Sequence, residues 1–89
     1  MQNDFCKPDG SLAVEGSLDI IPLINQLREK SDKFDFVAMT RDWHPQNHCS
    51  FGSNHPGKDL FSVIKVPETG RDQVMWPDHC IQGSFGAEF

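Results

Sequence analysis

Residues 34–44 read Phe34-Asp35-Phe36-Val37-Ala38-Met39-Thr40-Arg41-Asp42-Trp43-His44, and this stretch decides the fold. Phe34 to Thr40 is rich in β-formers and becomes continuously apolar, as a buried strand does. Upstream, Gly16-Ser17 opens a segment whose apolar residues Ile20, Ile21, Ile24 and Leu27 recur at helical spacing. Ser17 or Asp19 suits the N-cap of that helix, and Arg28 and Lys30 suit its C-terminal end. Pro22 is compatible only because it falls within about the first turn, where amides lack helical partners. Helix, short polar link and strand make half of a βαβ unit. The expected class is therefore α/β, with a first strand lying before residue 1.

Outward from this core the pattern loosens. Lys7-Pro8-Asp9-Gly10-Ser11 is a turn by composition. From Arg41 to Trp76 the periodicity fades, punctuated by His44-Pro45, Gly52-Ser53-Asn54, His55-Pro56-Gly57 and Glu68-Thr69-Gly70. Within it Leu60 to Ile64 fits a short strand or a short helix equally. A loop this long in a compact domain is usually functional or disordered. The last residues, Gly83 to Phe89, carry no terminal element.

The whole chain has 89 residues, one domain at most, able to bury roughly 60–65% of its unfolded surface. Thirteen acidic and eight basic residues give a net charge of −5. With no basic block to hold a phosphate backbone, nucleic acid is excluded as the expected partner. The apolar runs are far too short to cross a bilayer, and Met1-Gln2-Asn3-Asp4 has no signal-peptide character. Three cysteines, Cys6, Cys49 and Cys80, without a CxxC pair read as free thiols in a reducing compartment. The expected setting is cytoplasmic, with no membrane partner.

Three stretches carry chemistry. Asp42 and His44 alternate at the predicted strand end and so share a face, with His48 four residues further on. One carboxylate with one or two imidazoles is a first shell for Zn²⁺, Fe²⁺ or Mn²⁺, although such residues in a loop are more often a solvated turn. His55 reads as a turn residue. In Trp76-Pro77-Asp78-His79-Cys80, adjacent residues of extended chain face opposite ways, so His79 is a poor base for Cys80. Cys80 reads as a small buried hydrophobe, and His79 is available as a third ligand. Gln2-Asn3-Asp4-Phe5-Cys6 reads as a capped turn with Phe5 packing inward.

Taken together, Met1 to Cys6 (MQNDFC), Leu12 to Gly16 (LAVEG), Asp42 to Pro45 (DWHP), Trp76 to Cys80 (WPDHC) and the final GSFGAEF resemble a known family. They closely resemble the N-terminal half of the nicotinamidase (pyrazinamidase) family, of the isochorismatase-like cysteine hydrolase superfamily. The likeness runs through nearly the whole chain, least from Asn54 to Gln73. The motif QNDFC marks the superfamily, and its combination with DWH and WPxHC is specific to nicotinamidases.

The resemblance implies the N-terminal part of an isochorismatase-like fold, a mostly parallel sheet flanked by helices. It implies Asp42, His44 and His79 as metal ligands, with His48 near a further ligand position, and a divalent ion, Zn ahead of Fe or Mn. Phe5 and Trp76 match aromatic residues that sandwich the pyridine ring of nicotinamide, and Gln2 a glutamine bordering the active site. The implied reaction is hydrolysis of nicotinamide to nicotinate and ammonia through a cysteine thioester, assisted by an aspartate and a lysine. That aspartate would lie just before Met1, and the lysine and cysteine beyond Phe89. No catalytic residue is carried onto this chain, which is expected to be inactive by itself as a fragment, residues 1–89 of one longer domain. A homo-oligomer of the full-length enzyme is left open. Two alternatives stand beside this reading: a sister amidohydrolase of the superfamily, and a non-catalytic module that binds metal or nicotinamide.

Overall fold

The computed structural model describes residues 1–89, at residue 31 the backbone alone. The chain begins with a single helical turn, α1 (Asn3–Cys6). The Pro8-Asp9-Gly10 turn then folds the chain back, so that the Leu12 and Val14 amides donate to the carbonyls of Asp4 and Phe5. A 3₁₀ turn, Ser17–Asp19, leads into α2 (Ile20–Glu29). Neither Ser17 nor Asp19 caps α2 with its side chain. The Ser17 hydroxyl instead donates to the Cys6 carbonyl at 3.1 Å, tying the start of α2 to α1. Pro22 lies in the first turn of α2 and Arg28 in its last, as their chemistry requires.

The buried strand expected over residues 34–40 is not formed. Residues 36–40 form no helix or turn and pair with no strand among the described residues. The reason is physical: a parallel strand needs neighbours for its amides and carbonyls and cover on both faces. Neither is supplied, and Phe36 is 83% and Met39 67% exposed. The sheet that does form is a small antiparallel hairpin, β1 (Val63–Lys65) and β2 (Asp72–Val74), with Val63 opposite Val74 and Lys65 opposite Asp72. The ambiguous segment 60–64 thus resolves into a turn running into β1. Gly70, at a φ of 66°, supplies the left-handed residue of the hairpin connection.

Two isolated parallel bridges give the rest its shape, His44 with Ile81 and Phe51 with Trp76. The His44 amide donates to the Cys80 carbonyl at 3.0 Å and the Trp76 amide to the Ser50 carbonyl at 2.8 Å. Segment 76–82 therefore lies along two loop segments at once. The core beneath it is formed by Phe51, Met75, Val66 and Cys80, all fully buried. A closing 3₁₀ turn, Phe85–Ala87, returns to α1, where the Asn3 amide donates to the Glu88 carbonyl at 2.8 Å.

Candidate metal centre

The bridge between His44 and Ile81 brings residue 79 beside residues 42 and 44. Asp42 Oδ2 lies 3.4 Å from His44 Nε2 and 3.7 Å from His79 Nε2. The three donor atoms fall within 4.8 Å of one another, a carboxylate oxygen and two imidazole nitrogens. His79 is almost wholly buried and its Nδ1–H donates to the Pro77 carbonyl at 2.7 Å. That bond occupies Nδ1 and leaves Nε2 on the side of Asp42, the kind of second hydrogen bond that orients metal-ligating histidines. The donor set and its spacing fit a divalent transition ion with open positions for other ligands.

His48 stands beside this cluster rather than in it. Its ring centroid is 4.5 Å from that of His44, and its Nδ1 lies 2.7 Å from Ser50 Oγ. Burial lowers its pKa below the ordinary 6.5, and the neighbouring His44 and His79 lower it further. His55 remains a turn residue, its Nε2–H donating to the Cys49 carbonyl at 2.7 Å.

The cluster forms one wall of a cleft of about 380 Å³, lined also by Phe5, Leu12, His48, Ser50, Gln73 and Trp76. Such a volume is at the lower end for small-molecule sites. Phe5 approaches the His79 ring at 5.7 Å between centroids, and Trp76 is held edge-on by Phe61. Gln2, by contrast, is not among the lining residues. It is buried behind Asp42, its carboxamide engaged by backbone groups of Asp42 and Ala87.

Sequence reading missed Phe51, a buried ring packed against the site's three imidazoles. Its ring lies 5.4 Å from His44, 5.6 Å from His48 and 5.4 Å from His79. The one available signal was an aromatic residue three positions after His48 in an otherwise polar loop. Leu12 and Gln73 were also missed, because nothing local marks them as facing the cleft.

All three thiols are free, and none lines the cleft. Cys80 points away from it, with Sγ 3.9 Å from the Gly86 carbonyl oxygen. Burial, then the nearby Asp4 and Asp42 carboxylates, push its pKa up to about 11, so it stays a neutral thiol near pH 7. Its backbone is not extended, as expected from the sequence, but left-handed, at a φ of 50°.

Comparison with known proteins gives a consistent answer. The chain is 51% identical over 88 residues to a nicotinamidase of Acinetobacter baylyi. The chain is nicotinamidase-like along its whole length. That match covers 99% of the chain but 38% of the relative, so the chain spans about two fifths of the length of the curated relatives it matches. Among solved structures, the yeast nicotinamidase Pnc1p bound to the inhibitor nicotinaldehyde superposes with a TM-score of 0.84 at 36% identity, over 97% of this chain and 43% of that one. A Pyrococcus horikoshii pyrazinamidase in complex with zinc gives 0.72 at 37% identity, over 100% of this chain and 40% of that one. No protein-family model matches the chain.

Proposed function

We propose that these 89 residues are the metal- and ring-binding part of a nicotinamide amidohydrolase. The observation that carries this reading is the convergence of Asp42, His44 and His79 on one wall of a cleft that Phe5 and Trp76 also line. Asp42, His44 and His79 would hold the ion, with His48 closing its flank. The zinc in the P. horikoshii relative supports Zn as that ion. A bound divalent cation would fix the ring nitrogen of the substrate and draw electron density from the ring. Phe5 and Trp76 offer flat apolar surface to the ring faces, and the carboxamide is presented to the rest of the enzyme. The inhibitor held by the yeast relative, a pyridine aldehyde, supports this substrate class.

The nucleophile comes from outside these residues, since Cys80 is a neutral buried thiol turned from the cleft and neither Cys6 nor Cys49 lines it. On this reading, residues 1–89 are an N-terminal portion of one cytoplasmic α/β domain. Residues 36–40 then become an inner strand of a mostly parallel sheet. Their exposed apolar side chains and unpaired backbone support that placement.

The test is ammonia release from nicotinamide. A chain extended at both ends to include an aspartate before Met1 and a lysine and cysteine after Phe89 should release ammonia and nicotinate in equal amounts. His79→Ala in that chain should abolish it, and the zinc-loaded 89-residue chain should release none. Failure of the extended chain, or turnover by the 89-residue chain, would overturn the reading.

A further inference from the structure

We propose that Gln2 and Asp4 are positioning residues that set the spacing between the Asp42 and His79 arms of the metal site. This rests on the metal reading above and adds to it how two distant ligands are brought into register.

Asp42 follows a segment with no strand partner among the described residues, so its backbone must find partners elsewhere. Gln2 provides them. The Asp42 amide donates to Gln2 Oε1 at 2.8 Å, and Gln2 Nε2 donates to the Asp42 carbonyl at 2.7 Å. The side chain thus imitates a paired strand, forty residues away in sequence. Among the described residues, the Asp42 amide and carbonyl make no other hydrogen bond. Gln2 Nε2 also donates to the Ala87 carbonyl at 2.9 Å, so both amide atoms of this buried residue are committed.

The other arm is held in a different way. His79 is followed by Cys80 in the left-handed region, which non-glycine residues avoid unless the surroundings enforce it. The enforcing contact is Asp4, whose Oδ2 accepts from the Cys80 amide at 2.6 Å. The same carboxylate accepts from the Ser11 amide at 3.4 Å. Gly86 closes over it: a Cβ built there would overlap the Asp4 carboxylate. Asp4 lies in α1 and Gln2 immediately precedes it, the Gln2 carbonyl accepting from the Phe5 and Cys6 amides, so the distance between their two grips is fixed by local geometry. Phe5, the next residue of that turn, faces the cleft.

The test uses the 89-residue chain, cobalt(II) absorption as the metal probe, and amide proton signals of the metal-free protein. Gln2→Glu keeps the acceptor for the Asp42 amide and replaces the donor with a second acceptor. Asp4→Ala removes the acceptor for Cys80, and Asp4→Asn restores one. Cobalt should bind about 10–100-fold more weakly to Gln2→Glu and Asp4→Ala, the usual effect of removing a group behind a ligand. Asp4→Asn should recover most of the loss. The Asp42 signal should move in Gln2→Glu and the Cys80 signal in Asp4→Ala, while the Met75 amide, bonded to the Ser62 carbonyl, stays protected. Affinities within twofold of the parent would overturn the proposal, as would Asp42 and Cys80 amides that exchange like an open chain in the parent. A parent that protects both amides but takes up no cobalt would sink the metal reading alone. The proposal would then stand or fall on whether each variant disturbs its own amide and the His79 ring signals.

Discussion

Replacing Phe51 by alanine should remove the ring on which His44, His48 and His79 pack and much of the stability of the chain. Phe51 has no exposed surface and touches three imidazoles with ring separations of 5.4–5.6 Å. Truncating a buried phenylalanine typically costs about 3–5 kcal/mol, the transfer loss plus the cavity left behind. A chain of this size has on the order of 4–13 kcal/mol to lose. In a domain of 60–100 residues each kcal/mol lowers the Tm by about 4–8 °C, so Phe51→Ala should lower it by at least about 12 °C. Phe51→Leu separates volume from aromaticity. It refills most of the space and should cost on the order of 1–2 kcal/mol, mainly in lost ring–imidazole contact.

The assay is thermal unfolding followed by near-ultraviolet circular dichroism, where the environment of Trp76 reports on the same core. Both variants should also bind cobalt more weakly than the parent, since His44 and His79 lose the surface on which their rings rest. An alanine variant melting within about 4 °C of the parent would refute the reasoning. That result would mean less than about 1 kcal/mol rests on Phe51, which is incompatible with a fully buried ring under three histidines.

Two further outcomes are expected. His48 has its pKa lowered by burial and by its histidine neighbours, so it contributes stability that is fully present above the unfolded value of 6.5. That contribution is lost as pH falls through the lower folded value; Tm measured from pH 8 to pH 5 should drop on the acid side, and His48→Gln should flatten the drop. Cys49 is exposed while Cys6 and Cys80 are buried, so a thiol-reactive chromophore should label one cysteine quickly and two only on unfolding; fast labelling of two or three would contradict the packing around Cys80.

Different parts of the structure were legible in the sequence to different degrees, for identifiable reasons. The α2 helix was visible because Ile20, Ile21, Ile24 and Leu27 encode a face with a regular period. Pairing Asp42 with His44 needed only the alternation of extended chain. Joining His79 to them could not be read from spacing, because it depends on backbone bridges between segments distant in sequence, His44 with Ile81 and Phe51 with Trp76; there the resemblance of the motifs supplied what periodicity lacked. Phe51 was invisible for the same reason, being buried by loops that carry no repeat. The strand expected at 34–40 was read from composition alone, which reports what a segment suits and not whether partners are present. Of the two N-cap candidates, Asp19 holds the position but its side chain accepts from no amide of α2, and the Ser17 hydroxyl is turned to donate to the Cys6 carbonyl.

These contrasts divide the chain into two physical regimes. Around the cluster, loops are fastened by side chains that act as backbone partners: Gln2 on Asp42, Asp4 on Cys80, Asn54 on the Gln46 and His48 carbonyls. Around α2 and residues 36–40 the apolar side chains lack cover, with Leu23 55% and Val37 56% exposed. The accessible surface of 6572 Å² exceeds the roughly 5,300 Å² usual for a protein of this mass. The radius of gyration, 16.1 Å, exceeds the usual value of about 12 Å. Hydrophobic burial therefore contributes less here than in an ordinary domain of 89 residues, and the site half must supply a larger share of the stability. An ion bound at Asp42, His44 and His79 would act on that half alone. At a hundredfold excess over its dissociation constant it adds about 2.7 kcal/mol, a large fraction for a chain with so small a core. The proposed ligand set would then, in these 89 residues, also be a principal means of holding the fold together.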